Sequence, residues 1–198
     1  MNVEKTIETL RKNGFKVSFF ESGKEAADYL VERINGKSVG IGGSKTVEAL
    51  GVYERLMENN TVYWHWFQQP QNEIRYKAAG AQVYISSANA IAETGEIVNI
   101  DGSGNRVASL MFGHEKVFIV AGVNKITPDG TAALYRARNV AAVENVKRFE
   151  NMKVPCKIDG KCHDCRSPQR ACNALLVLWG PMMEMETEIV LIDEALGM

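Results

Sequence analysis

Short runs rich in β-branched and aromatic residues alternate with amphipathic segments through most of this chain, and that alternation narrows the fold more than any other feature. FKVSFF (15–20), SVGI (38–41), VYIS (83–86) and VFIVAG (117–122) have the length and composition of strands. Between them, Val3, Ile7 and Leu10 recur at helical spacing before an Asn13-Gly14 stop. Ser22 and Glu25 form an S-x-x-E capping box for a helix whose apolar residues Ala26, Ala27, Tyr29, Leu30 and Ile34 lead to a second stop at Asn35-Gly36. Parallel strands need a crossover, and a helix is the compact way to make one. The alternation therefore predicts a three-layer α/β fold, with a mainly parallel sheet and helices on both faces. ALLVLW (174–179) and EIVLID (188–193) read as closing strands.

A chain of 198 residues is long enough for one sizeable α/β domain and short for two. Residues 1–198 are accordingly read as a single domain, with residues 153–173 as a small cysteine-rich excursion within it. The formal net charge of -1 offers no electrostatic case for a nucleic-acid or membrane partner. The amino end is amphipathic rather than leader-like, and no apolar run approaches membrane-spanning length, so a cytoplasmic location is expected.

In an open parallel sheet, ligands collect beyond the carboxyl ends of the strands. Small and polar residues follow three of the predicted strands. GGSKT after SVGI makes Gly42, Gly43, Ser44 and Thr46 a candidate anion cradle, or a tight turn with Ser44 as a helix cap. Residues 86–125 contribute NIDGSGNR and VNK, hence Asp101, Gly102, Gly104, Asn105, Arg106, Gly122, Asn124 and Lys125. Asp101-Gly102 is a turn dipeptide, and Arg106 is placed either to pair with a ligand anion or to bridge Glu96 or Asp101. Lys125 supplies a point charge at the same mouth, or else a solvated loop lysine. Trp64, His65, Trp66 and Phe67 are placed to line a pocket, although aromatics near a strand end more often read as core or as a subunit contact. On the helix after Asp129, Arg136, Arg138, Lys147 and Arg148 read as a solvated face.

Cys156, Cys162, Cys165 and Cys172 form a C-x5-C-x2-C-x6-C pattern, close enough along the chain for a loop to gather all four thiols at one centre. A zinc ion or an iron-sulfur cluster fits four thiolates, and disulfide or thiol chemistry is the alternative. Lys157, Lys161, Arg166 and Arg170 are interleaved with the thiols and suited to offset their charge. His163 reads as a bystander or a substitute ligand.

Taken together, GIGGSKT, SANAIAETGEIVNIDGSGNRVA, VFIVAGVNKI and the four-cysteine segment resemble the LUD (lactate utilisation) domain family over nearly the whole chain. The resemblance implies a fold related to ribose-5-phosphate isomerase, glucosamine-6-phosphate deaminase and the coenzyme A transferases. It also implies an anionic small-molecule ligand (a phosphate, carboxylate or coenzyme A ester) and a link to L-lactate oxidation in an iron-sulfur-containing system. GIGGSKT is similar to the sugar-phosphate loop of the isomerases. SANAIAETGEIVN is similar to a stretch of methylthioribose-phosphate isomerase and initiation factor 2B relatives, in which the position of Asn89 is a catalytic Asp; an Asn there can bind a ligand but cannot act as general acid or base. The transferases of this fold use a glutamate nucleophile, and the candidates here are Glu93 and Glu96. A homodimer or a redox partner protein stays open, as does the choice between an enzyme and a binding or electron-relay module.

Overall fold

The computed structural model describes residues 1–198. Local signals set many of its boundaries. Asn2 accepts from the Lys5 amide and starts α1 (Val3–Lys12), which leads to β1 (Lys16–Phe20). Both halves of the Ser22–Glu25 capping box form at the start of α2 (Gly23–Arg33). Then come β2 (Ser38–Ile41), α3 (Lys45–Ala49), α4 (Val52–Met57), β3 (Thr61–Trp64), α5 (Gln71–Ala79) and β4 (Val83–Ser87). A hairpin, β5 (Ala90–Ala92) and β6 (Ile97–Asp101), precedes α6 (Asn105–Met111), β7 (Lys116–Gly122) and β8 (Ile126–Thr127). Next, α7 (Gly130–Arg136) runs through a π-helical turn at Ala137–Ala141 into α8 (Ala142–Lys147). The chain ends with α9 (Pro155–Asp159), β9 (Ala174–Leu178) and β10 (Glu186–Ile192).

Six strands form a parallel sheet in the order β1-β10-β7-β4-β2-β3. Apolar side chains cover both of its faces, as expected of a parallel sheet between helices. Leu30, Ile34, Val47, Leu56 and Trp64 pack on one face, and Leu10, Phe15, Ile91, Leu110 and Leu178 on the other. This is the three-layer arrangement that the β-α alternation predicts.

A second sheet, in the order β8-β5-β6-β9, lies outside that expectation. The hairpin and the β6–β9 pair are antiparallel, and β5–β8 is parallel. The segment between VYIS and VFIVAG is therefore not only a polar floor: it carries two strands, turned at Gly95, where φ is +101°. Every residue of β5 and β6 is buried, so neither shows the alternation that marks a half-exposed strand. Ala90 and Ala92 of the hairpin face Ala133 and Ala137, and these small side chains let the α7 helix lie close against it.

Candidate functional site

The carboxyl ends of the parallel strands open into a cavity of about 670 Å³. Ser44 follows β2, His65 follows β3, Ser87 ends β4 and Lys125 follows β7; all four line it. So do Gly43, Thr46, Asn89, Asp101, Gly102, Asn105 and Arg106, which brings nine of the thirteen expected ligand-binding residues to one place.

A single 3₁₀ turn at Val123–Lys125 directs Lys125 under the cavity floor, where it is 3% exposed. Its ammonium donates to Thr46 Oγ1 at 2.7 Å, Ser87 Oγ at 2.8 Å and the Ala88 carbonyl at 3.1 Å. All three acceptors are neutral. Burial, reinforced by the charges of Arg136 and Arg106, lowers the Lys125 pKa to about 7. The expected solvated alternative does not apply: this lysine is a buried, uncompensated cation.

Asp101 takes the structural role that its turn dipeptide suggests. Its carboxylate accepts from the amides of Ser103, Gly104, Arg106 and Val107, and the Arg106 Nε lies 3.4 Å away. Arg106 also donates to the Ile100 carbonyl. It therefore borders the cavity while held by its own loop. Asn89 is likewise engaged: its Oδ1 accepts from the Ile100 amide at 2.6 Å, and its carbonyl accepts from Arg136.

The glycines answer to packing. A Cβ on Gly43 would lie 3.0 Å from the Trp66 ring, and one on Gly42 2.8 Å from the Tyr84 hydroxyl; Gly42 is outside the cavity. Ser44 caps α3 by accepting from the Val47 amide at 3.2 Å, so the turn-and-cap alternative is realised at a residue that also faces the cavity. Gly104, Gly122 and Asn124 do not line the cavity. Gly104 enters α6 with φ +86°. Gly122 and Asn124 seat the segment after β10: the Leu196 amide donates to Asn124 Oδ1, and a Cβ on Gly122 would lie 2.3 Å from the Glu194 carbonyl.

Neither glutamate offered as a catalytic group lines the cavity. Glu93 accepts from the Asn2 amide and Lys5 Nζ at the start of α1, and those contacts hold its carboxyl below the usual range. Glu96 bonds Thr94 beside the hairpin turn.

Other residues at the cavity were not among the expected ligand-binding set. His65 is 5% exposed with Nδ1 unpartnered. Burial first, and the charge of Arg75 second, lower its pKa to about 4, so its imidazole is neutral at pH 7. The helix charges are a correction. Arg148 is exposed but reaches toward the cavity, with its guanidinium 4.4 Å from the centre of the Trp66 ring, and Arg136 turns inward to donate to the Asn124 and Asn89 carbonyls. Lys45, Arg75, Arg106, Lys125, Arg148 and Arg170 line the cavity against only Glu48 and Asp101, an excess of six basic side chains over two acidic ones.

The four cysteines line a second cavity of about 230 Å³, walled by Leu134, Val143, Val146 and Val154. All four are free and half-buried, and no three His, Cys, Asp or Glu side chains stand where they could hold a single metal ion. Burial, and then the neighbouring thiols of Cys165, Cys172 and Cys162, push the Cys156 thiol up. Arg170 donates to the Cys165 and Cys172 carbonyls, and Arg138, from the π turn, reaches Cys162 Sγ at 3.8 Å. Lys157, expected to offset the thiols, instead donates to the Phe149 and Glu150 carbonyls. His163 pairs with Asp159 at 2.8 Å, in keeping with a bystander.

A family model for the LUD domain matches residues 3–192. The crystal structure of a DUF162 family protein from Deinococcus radiodurans, determined at 1.70 Å, superposes with a TM-score of 0.57 at 9% identity, covering 96% of this chain and 95% of that one. At that identity the likeness speaks for the fold alone. No curated protein matches the chain.

Proposed function

The chain belongs to the LUD domain family, and from that premise we propose that it binds an anionic small metabolite at the carboxyl ends of its parallel strands. The ligand class is a phosphate, a carboxylate or a coenzyme A ester, and the family's name points to the 2-hydroxy and 2-oxo acids of L-lactate utilisation among the carboxylates. We read residues 1–198 as one LUD domain of the isomerase and coenzyme A transferase fold type, and its four free thiols as suited to a reducing cytoplasm.

One observation carries this reading: six basic side chains and two acidic ones surround a cavity of about 670 Å³ in a chain whose formal net charge is -1. The basic charge is concentrated where ligands of parallel sheets collect, and the volume falls in the usual range for small-molecule sites. Low-dielectric walls strengthen the attraction of such a site for anions. A binding role is favoured over carboxylate catalysis because Asp101 is spent on four loop amides and Glu48 is paired with Lys45.

Thermal-shift and calorimetric titrations with inorganic phosphate, L-lactate, pyruvate and coenzyme A test it. At least one should raise the unfolding temperature at millimolar concentration, with an affinity that weakens as salt is added. If none of them shifts the transition, the reading fails.

A further inference from the structure

We propose that the Lys125 amine forms an imine, at the floor of the larger cavity, with a small aldehyde or ketone that carries a carboxylate or phosphate. The inference rests on the anion reading of that cavity and adds a reaction to it. Three elements build the spot: Thr46 from α3, Ser87 and Ala88 from the end of β4, and Lys125 from the 3₁₀ turn after β7. Nζ lies 2.7 Å from Thr46 Oγ1, 2.8 Å from Ser87 Oγ and 3.1 Å from the Ala88 carbonyl. A lysine so deeply buried is ordinarily paired with a carboxylate. All three partners here are neutral, and the cavity's two carboxylates are engaged elsewhere, Asp101 with its loop amides and Glu48 with Lys45.

That setting favours the uncharged amine, which is the nucleophilic form. Burial, and then the charges of Arg136 and Arg106, bring the Lys125 pKa to about 7. At pH 7 about half of the Lys125 side chains then carry a free lone pair, against roughly one in three thousand for an ordinary lysine at 10.5. A ligand with its own anionic group supplies the counter-charge that the site lacks. The imine, once protonated, is then half of an ion pair rather than one more isolated cation. Lys45, Arg106 and Arg148 line the same cavity and suit the anionic end of such a ligand.

The step balances without a further reagent. The Nζ lone pair attacks the carbonyl carbon, a C–N bond forms, and the carbonyl oxygen takes up a proton that the nitrogen gives up. The C–O bond of this carbinolamine then breaks, and the oxygen leaves as water with the second hydrogen of the amine. Hydroxyls both donate and accept. Thr46 Oγ1 and Ser87 Oγ stand 3.3 Å apart, each within hydrogen-bond reach of Nζ, and so are placed to relay those protons from nitrogen to oxygen. Gly197 keeps room beside the amine: a Cβ there would lie 2.3 Å from Thr46 Oγ1 and 3.4 Å from Nζ.

The test incubates the full chain at pH 7 with pyruvate or dihydroxyacetone phosphate and with cyanoborohydride, which reduces an imine to a stable amine. Intact mass should rise by one ligand less one oxygen atom, and peptide mapping should find Lys125 labelled about tenfold or more over any other lysine. Acetone, a ketone without the charge, should label Lys125 about tenfold more slowly than pyruvate at equal concentration. Lys125→Met should lose the adduct; because the mapping is done on the wild type, a variant that fails to fold leaves the result intact. No adduct with either probe, or label spread evenly over the lysines, would overturn the proposal. Labelling by acetone as fast as by pyruvate would overturn the anionic substrate class. Thermal shift with inorganic phosphate is read on the same preparation. A shift without an adduct sinks the imine and leaves the anion site standing, whereas neither shift nor adduct fails both readings.

Discussion

Lys125 is where a single side chain governs the cavity. Its folded pKa is about 7 against 10.5 for an ordinary lysine, so between those values the unfolded chain holds a proton that the folded chain does not. Stability should therefore rise as pH increases from about 7 to 10.5, and Lys125→Met should flatten that rise in thermal melts recorded across the range. Anion binding runs the other way. Above pH 7 the floor loses its charge, so binding must take up a proton, and phosphate affinity should fall by up to about tenfold per pH unit in the wild type. Calorimetry in buffers of different ionisation enthalpy detects that proton directly. Asp101 makes a second test at this scale. Asp101→Ala would orphan four amides and the Arg106 guanidinium, and should cost roughly 2–4 kcal/mol in denaturant unfolding. Both residues were visible in the sequence, Lys125 because it follows an apolar run and Asp101 because it precedes Gly102. Arg75, Arg148, Arg170 and His65 were not in the expected ligand-binding set: each sits on a helix, a loop or an aromatic run where the plain expectation is solvent or core, and only the tertiary fold turns it toward the cavity.

At the scale of elements, legibility follows the range of the interaction. The capping box of α2 spans four residues and was readable as written. The hairpin was not, because β5 and β6 are buried throughout and because β6 pairs with β9, joining Asp101 to Ala174 across a long stretch of chain. What the hairpin needs from its neighbour is small side chains. Ala133 and Ala137, both fully buried, let α7 and the π turn approach Ala90 and Ala92, and that approach carries Arg136 to the carbonyls of Asn89 and Asn124. Ala133→Leu would insert three heavy atoms where none fit. Overpacking of this kind costs about 1–3 kcal/mol. The displaced helix would also pull Arg136 from the strand ends, so phosphate affinity at pH 7 should weaken together with stability. Thr131→Leu, two positions earlier on the same helix, serves as the control, since that side chain is exposed.

The molecule as a whole is closed by its last strand. β10 lies between β1 and β7, so the first strand joins the sheet only through the last. Glu188 is the polar fastening of that arrangement. At 3% exposure it accepts from Ser18 on β1 at 2.7 Å and Tyr29 on α2 at 2.6 Å, and it pairs with Lys116 on β7 at 2.7 Å. Burial works to raise its pKa, yet the bonds from Lys116, Tyr29 and Ser18 together outweigh burial and leave it lowered. No pattern in EIVLID announces this role, since a strand-end glutamate is ordinarily solvated and its three partners come from distant elements. A lowered carboxyl pKa gives stability that is present above the ordinary value of 4.5 and is lost as pH falls through the folded value. Glu188→Gln should therefore cost about 2–3 kcal/mol at pH 7, where it leaves Lys116 with only its half-buried ion-pair partner Glu186. The same substitution should cost little once the wild-type carboxyl is itself protonated. Urea unfolding of both proteins at pH 7 and in acid separates the outcomes. A gap that closes on acidification marks Glu188 as an ionic fastening of the sheet, and a gap that persists unchanged would reduce it to shape alone.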